Sequence, residues 1–293
     1  MSWRNGFIAV DWGTTNRRAY LLDGAGQVED EFQDGLGLTS VPAGGFDAAA
    51  SEIRARLGDR PMLLAGMVGS NRGWREAPYV ACPAAARDVA AGVLWLEPGR
   101  TGIVPGVCQT HPEADVMRGE EVQVLGARAL GLIAPDAMVC HPGTHNKWIA
   151  LEDGRIASFR TLMTGEMFGL LGEHSILADQ LGGEARAGAA FDAGMDEVLA
   201  GGDLLSGLFR IRARYVLGQG MDDAASYASG LLIGGDVRAG LRDYGRGTVA
   251  LIGRPDLCAL YAAALARFDR PSTTIDGAEA FIAGMHLLTE MFR

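Results

Sequence analysis

Asp11 ends an apolar run, FIAVD, and is followed at once by Trp12-Gly13-Thr14-Thr15-Asn16 before a second apolar run, RRAYLLD, begins. A carboxylate at the foot of a buried strand is costly unless something neutralises it. Gly13 lets the backbone turn close to a ligand, and Thr14, Thr15 and Asn16 add hydrogen-bonding groups beside exposed amides. Such a bend can cradle phosphate oxygens, and a Mg²⁺ ion carried by a nucleotide would offset the charge of Asp11. Alone, Asp-x-Gly-Thr is an ordinary turn. The pattern is not G-x-x-x-x-G-K-[ST], which excludes a P-loop, and no G-x-G-x-x-G follows the first strand, which argues against a dinucleotide dehydrogenase.

A second bend of the same kind stands in CHPGTHNKWIAL, with Gly143, Thr144 and His145 between two apolar runs. Two such bends, each opening one half of the chain, form a constellation that one does not. Facing each other across a cleft, they would grip a triphosphate from both sides. Between them lies VMRGEEVQVLGARAL, where Glu120 and Glu121 fall in the first turn of an amphipathic helix. Carboxylates favour that end of the helix dipole, so helix-start chemistry accounts for them by itself. The functional alternative is a catalytic base aimed into the cleft. Arg118, just before it, is suited to a substrate carboxylate. Gly253 ends the strand TVALIG, where a purine ring could lie against backbone. AGMVGSNRGW offers Ser70 and Asn71 for hydroxyl contacts and Trp74 as a stacking wall, although Gly-rich loops often only turn.

The elements that must position these groups fall into two α/β halves. FIAVD, RRAYLLD and QVEDEFQ read as a three-strand meander. A helix over 46–57, a buried strand in PMLLAGMVG, a helix in AAARDVAAGV, a strand near TGIVPG and a helix at GEEVQVLGARALGLI complete a βββαβαβα order. The pattern restarts at AMVCHPG, NKWIALEDG and RIASFRTLM, with a turn at Asp153-Gly154. Helices follow, then strands TVALIG and STTID, each trailed by a helix. The boundary is predicted near Pro135, giving units 1–135 and 136–293.

Bulk composition agrees with this. At 293 residues, 48% hydrophobic and 21% charged, the chain can bury a large core. A net charge of −10 with no Lys/Arg cluster argues against nucleic acid or an anionic membrane as partner. Four scattered cysteines show no zinc or redox spacing, and buried free thiols in a reducing compartment are the reading. With a strand beginning near Gly6 and no apolar run approaching 18 residues, a cytoplasmic soluble protein is predicted.

Taken together, the two bends, the acidic helix start and the late strand–Gly–helix resemble the two-lobed actin-like ATPase (ribonuclease H-like) fold of sugar kinases, actin and chaperone ATPases. Each lobe is then a mixed sheet opening with a meander and flanked by helices. GEEVQVLGA resembles the G-[DE]-x-x-x-x-x-G segment that carries the base in carbohydrate kinases, and that alignment puts Glu120, with Glu121 as the alternative, at the base position. Six stretches in order, DWGTTNRRAYL, AGMVGSNRGWREAPYV, VMRGEEVQVLGA, PGTHNKW, FRTLMTGE and SGLLIGGDV, resemble the 2-dehydro-3-deoxygalactonokinase family. That resemblance implies ATP-dependent phosphorylation of the 6-hydroxyl of 2-dehydro-3-deoxy-D-galactonate in galactonate breakdown. It implies Mg²⁺ organised by Asp11, and β/γ-phosphates held by Gly13, Thr14, Thr15 and Asn16 and by Gly143, Thr144 and His145. The N-terminal lobe then holds the sugar acid and the base, and the C-terminal lobe holds the adenosine at Gly253. The turn Gly253-Arg254-Pro255 departs from the wider superfamily, which has a paired glycine there. Ser70, Asn71, Trp74 and either Arg118 or Arg160 would take the sugar acid. A related sugar acid as substrate, an exopolyphosphatase-like phosphohydrolase and a non-catalytic sensor on this fold are the other readings. A homodimer is a further expectation, with the apolar C-terminal helix packing either in the core or against a second subunit.

Overall fold

The computed structural model describes residues 3–242 and 247–292. The predicted first meander is present as β1 (Phe7–Trp12), β2 (Arg17–Leu22) and β3 (Val28–Asp34). It is followed by α1 (Phe46–Leu57), β4 (Met62–Gly66), β5 (Tyr79–Ala81), α2 (Ala86–Ala91) and β6 (Leu94–Glu97). Then come β7 (Thr101–Ile103), β8 (Gly106–Gln109), β9 (Asp115–Met117) and α3 (Glu120–Ala129). The sheet runs β3-β2-β1-β4-β7-β6, and β5, β8 and β9 form a small separate sheet. Sequence reading missed β5, β6, β8 and β9. Strands of three or four residues give too few alternations to show a period of two.

The second meander comprises β10 (Ala137–His141), β11 (Asn146–Glu152) and β12 (Arg155–Leu162). After it come α4 (Thr164–His174), α5 (Ala189–Leu199), α6 (Leu204–Val216) and α7 (Ala224–Gly240). The chain ends with β13 (Val249–Gly253), α8 (Pro255–Arg267), β14 (Ser272–Asp276) and α9 (Gly277–Glu290). The second sheet runs β12-β11-β10-β13-β14. It repeats the order of the first five strands of the other sheet: an antiparallel meander, then a parallel strand added beside its first member. The echo read from the sequence is therefore topological. No helix among the described residues is long and apolar enough to cross a membrane.

Contacts divide the chain into one unit of Met1–Asp136, Ala150–Phe159 and Gly277–Arg293, and another of Ala137–Ile149 and Arg160–Asp276. The C-terminal helix thus belongs with the first unit, outside the 136–293 block drawn from sequence. Its reason is a close crossing. A Cβ at Gly126 of α3 would lie 1.9 Å from the Ala280 carbonyl oxygen, and one at Gly284 of α9 would lie 2.0 Å from the Val122 carbonyl oxygen. The helices meet backbone to backbone, and α9 is spent in the core.

Strand alternation sorts the first sheet into two faces. Ile8, Val10, Trp12 and Ala19 turn toward α1, with Ile53 and Leu57, in one core cluster. Cross-strand partners share a face, so Phe7, Ala9 and Asp11 lie with Leu22, Tyr20 and Arg18 on the other. Tyr20 meets Phe281 of α9 there, ring centroids 6.1 Å apart. Asp11 is thereby presented to the side where α3 and α9 pack.

Gly284→Ala should cost roughly 2–3 kcal/mol, because the added methyl must push two helix backbones apart. Urea unfolding at neutral pH followed by tryptophan fluorescence checks this. A midpoint equal to wild type would mean the crossing is looser than described.

Candidate functional site

In the first unit three chain segments converge. Asp11 sits one residue before the end of β1, Gly66 ends the parallel strand β4, and Gly119 caps α3. Both glycines have positive φ, +92° and +107°. A Cβ at Gly66 would lie 3.5 Å from Asp11 Oδ1, and one at Gly119 would lie 3.3 Å from the Gly66 Cα. A Cβ at Gly66 would touch the carboxylate, and one at Gly119 would press on the Gly66 backbone. The α3 start therefore lies beside Asp11, and Glu120 interacts with it electrostatically.

The local charges are unbalanced. Burial pushes Asp11 up to about 6; Arg18, its cross-strand partner, pulls it down, and Glu120 raises it further. Glu121 is fully buried, and burial with the neighbouring Glu120 pushes it up to about 8. Its two oxygens accept from the Gly119 N–H at 3.0 and 2.7 Å. Glu120 accepts from the Arg118 N–H at 3.0 Å and remains partly exposed. Of the two adjacent acids, Glu121 is locked into the helix start, and Glu120 is the one on the Asp11 side with access to solvent.

The first bend is pinned from behind. Its closure is the Gly13 N–H to Asn16 O bond at 2.9 Å. The carbonyls of Gly13, Thr14 and Thr15 accept from Leu38, Thr39 and Gly37 at 3.0, 3.1 and 3.2 Å. Acceptors that would repel a phosphate are occupied, and Thr14, Thr15 and Asn16 are exposed. Those donors suit an anion. One carboxylate with exposed hydroxyls beside it also suits Mg²⁺ that arrives on phosphates, which is how that ion is usually held. Among the described residues no group of three or more His, Cys, Asp or Glu forms a cage for a resident metal.

The Gly-rich loop divides its expected residues. Ser70 is buried, and its Oγ accepts from the Arg72 N–H at 3.3 Å, so it shapes the loop. Asn71 is exposed. Trp74 stacks on Phe46 with centroids 6.3 Å apart and planes 10° from parallel. Both rings line a cavity of about 440 Å³ with Leu38, Asp47 and Arg72. The cavity wall continues into the bend, because Leu38 donates to Gly13 O and Phe46 packs on Trp12, centroids 5.7 Å apart. Sequence reading missed Phe46, Asp47 and Arg72; as a helix start and a loop they carried no motif.

The candidate arginines are otherwise engaged. Arg118 Nη2 donates to Ala77 O at 2.7 Å, and its guanidinium carbon lies 4.4 Å from the Tyr79 ring centroid. Its Nε and Nη1 are closed off from solvent and make no hydrogen bond among the described residues. Arg160, in the second unit, donates to Ala239 O at 3.2 Å. Arg17 is fully buried and pairs with Asp34 at 2.9 Å and Glu52 at 3.1 Å.

In the second unit Gly143, Thr144 and His145 form the corresponding bend, with Thr144 and His145 exposed. Thr144 O accepts from Glu166 N at 3.0 Å, and His145 Nε2 lies 2.5 Å from Glu166 Oε2. Lys147 is buried, and its Nζ donates to His145 O at 3.2 Å. Behind the bend, buried Asp236 of α7 accepts from Asn146 Nδ2 at 2.8 Å, Trp148 Nε1 at 2.6 Å and Tyr261 OH at 2.9 Å, and also from Thr164 Oγ1. Burial raises its pKa, and the four donors oppose that. A carboxylate in the apolar stretch LLIGGDV was a legible signal that reading did not use. Gly253 has φ +150°, and a Cβ there would lie 3.3 Å from Pro142 O, so the β13 turn sits against the start of this bend.

The 2-keto-3-deoxy-galactonokinase family matches residues 11–288. A 2-dehydro-3-deoxygalactonokinase of Escherichia coli (strain K12) is 37% identical over 285 residues, covering 95% of this chain and 96% of that protein. The crystal structure of a Sinorhizobium meliloti protein assigned the same activity has a TM-score of 0.89 at 34% identity, covering 98% of this chain and 99% of that one. Component A of (R)-2-hydroxyglutaryl-CoA dehydratase from Acidaminococcus fermentans, at 12% identity and a TM-score of 0.54, covers 98% of this chain and 99% of its own and shares the fold alone. The fold is that of the actin-like ATPases.

The folded state holds a proton on Glu121 between about pH 4.5 and 8, where the unfolded chain has released it. Stability therefore falls as pH rises through that window. Glu121→Gln removes the titration and keeps an acceptor for Gly119. Its unfolding free energy from urea titration should match wild type near pH 4.5 and exceed it by pH 8, by on the order of 4 kcal/mol. A constant difference across the window would refute the buried acid.

Proposed function

This chain belongs to the 2-keto-3-deoxy-galactonokinase family, and from that membership we infer an ATP-dependent carbohydrate kinase that phosphorylates 2-dehydro-3-deoxygalactonate. The observation that carries the site assignment is the convergence of Asp11 and Glu120 beside the Gly13–Asn16 bend. We assign phosphoryl transfer to the 6-hydroxyl, as a step of galactonate breakdown.

The chemistry then follows from the groups present. Gly13, Thr14, Thr15 and Asn16 hold the β- and γ-phosphates of ATP. Gly143, Thr144 and His145 form a second phosphate-binding bend in the second unit, and Gly253 is its adenosine-binding turn. Asp11 holds Mg²⁺ directly or through water, and the ion neutralises charge on the phosphates when bound. Glu120 accepts the proton of the 6-hydroxyl as its oxygen bonds to the γ-phosphorus and the bond to the ADP oxygen breaks. Transfer of this kind depends mainly on positioning and electrostatics, with the base adding a modest factor. Asn71 and Trp74 contact the sugar acid, and Ser70 holds their loop.

We also read the exposed stripe Leu205, Phe209 and Val216 on α6 as the contact of a homodimer, since α9 is consumed in the core. Sedimentation velocity should give a dimer that Leu205→Glu dissociates; a wild-type monomer at tens of micromolar would refute it.

The decisive assay is ADP release from Mg-ATP with and without the sugar acid. Sugar-dependent ADP supports the kinase, and sugar-independent phosphate release would support a phosphohydrolase. Binding of both ligands without either product would indicate a sensor. Glu120→Gln should lower kcat by about 10²-fold or more with ATP affinity retained. Asp11→Asn should shift the Mg²⁺ titration to higher concentration and depress its plateau; a curve overlaying wild type removes Asp11 from the metal.

A further inference from the structure

Behind the second bend lies a circuit of hydrogen bonds whose centre is closed off from solvent. Asp236 of α7 is 2% exposed and accepts from donors on β11, α4 and α8. Its Oδ1 takes Asn146 Nδ2 at 2.8 Å and Trp148 Nε1 at 2.6 Å. Its Oδ2 takes Tyr261 OH at 2.9 Å and Thr164 Oγ1. An amide nitrogen and an indole can only donate, so the hub must offer them an acceptor. Asn146 Oδ1 accepts in turn from Cys140 Sγ at 3.6 Å, which fixes the sense of the amide.

Two of these bonds lead back to the bend. Asn146 follows His145 directly in the chain and opens β11. Thr164 opens α4, whose first turn bears on the bend at three points. The Glu166 N–H donates to Thr144 O at 3.0 Å, and Glu166 Oε2 meets His145 Nε2 at 2.5 Å. A Cβ at Gly165 would lie 2.5 Å from Gly143 O. Each residue of the bend therefore adjoins a segment that Asp236 anchors, while Thr144 and His145 keep exposed side chains. An apolar residue at 236 would fill the space but leave the Asn146 and Trp148 donors unpaired. The polar hub selects one geometry.

We propose that Asp236 is a positioning residue for the nucleotide: itself out of reach of any ligand, it sets the shape of the 143–145 bend through Asn146 and Thr164, and with it the grip on the terminal phosphates of ATP. This rests on the phosphate-binding reading of that bend given above. AMP lacks those phosphates and is indifferent to Asp236.

The test is calorimetric binding of Mg-ATP and of AMP, alongside kinetics with the sugar acid. Asp236→Leu should weaken Mg-ATP binding roughly 10- to 100-fold, as for loss of the groups that orient a metal's ligands. Affinity for AMP and KM for the sugar acid should stay within about threefold. Asp236→Asn should recover most of the ATP affinity, since its Oδ1 still accepts from Asn146 and Trp148 and its Nδ2 donates to the two hydroxyls. Asn146→Ala cuts the link to the bend and leaves the other three donors in place. It should weaken Mg-ATP in the same selective way, and it is the deciding variant where Asp236→Leu does not fold. Equal losses for Mg-ATP and AMP overturn the proposal. So does a fall in kcat alone, the mark of a merely structural role, or Mg-ATP binding unaltered in Asn146→Ala. Wild type that binds Mg-ATP without forming sugar-dependent ADP refutes the kinase reading alone; wild type that binds no Mg-ATP refutes both.

Discussion

A carboxylate at the end of β1 without a dedicated cation is the constraint around which the first unit is arranged. Asp11 has Arg18 across the hairpin, but burial and Glu120 outweigh it and its pKa climbs to about 6. The surroundings then make sense as a charge deficit kept open for a ligand. Glycine at 66 leaves room beside the carboxylate, glycine at 119 lets the α3 start approach the Gly66 backbone, and that start brings a second acid to Asp11. The sheet supplies the direction, since alternation along β1 points Asp11 to the α3 side while Trp12 and Val10 fill the α1 side. A nucleotide-borne cation relieves the repulsion, which is a reason for such a site to prefer its metal already loaded on phosphate.

The two units solve the same mechanical problem with different parts. Each bend has the form Gly-Thr-x-Asn, and each is braced by a glycine whose Cβ position the bend occupies. At Gly37 that position is 2.2 Å from the Thr15 carbonyl carbon, and at Gly165 it is 2.5 Å from Gly143 O. The final asparagine marks the divergence. The Asn16 side chain is exposed and donates to its neighbour Thr15 Oγ1 at 3.2 Å, whereas Asn146 is buried and donates to Asp236. Asp236 gathers strand, helix start and α8 through four donors, so the second bend is held by a polar network. A network of this kind fixes geometry because every member would be costly to leave unpaired.

The long elements were legible because their signals are long. The helix predicted over 46–57 is α1, and both meanders carry clear strand–turn–strand punctuation. The small β5-β8-β9 sheet and β6 were not, since short strands leave no period to read. Among site residues, Asp11, Glu120 and the two bends were legible from residue type at a strand end or helix start. Trp74 was legible as a wall, but its partner Phe46 is 28 positions away, and stacking between distant loops leaves no local trace. Arg118 misled for a physical reason: proximity in sequence to Glu120 says nothing of where a long side chain lays its guanidinium.

Charge also constrains how the reaction must be laid out. The protein carries a net −10, and both reactants are anions. Bringing a sugar acid against Asp11 and Glu120 with its carboxylate foremost would set like charges together in a partly buried place, where Coulomb terms are least screened. The same six-carbon molecule turned end for end keeps its carboxylate away from both acids and offers an uncharged hydroxyl to Glu120. The two acids by the bend thus orient the substrate before any hydroxyl is recognised.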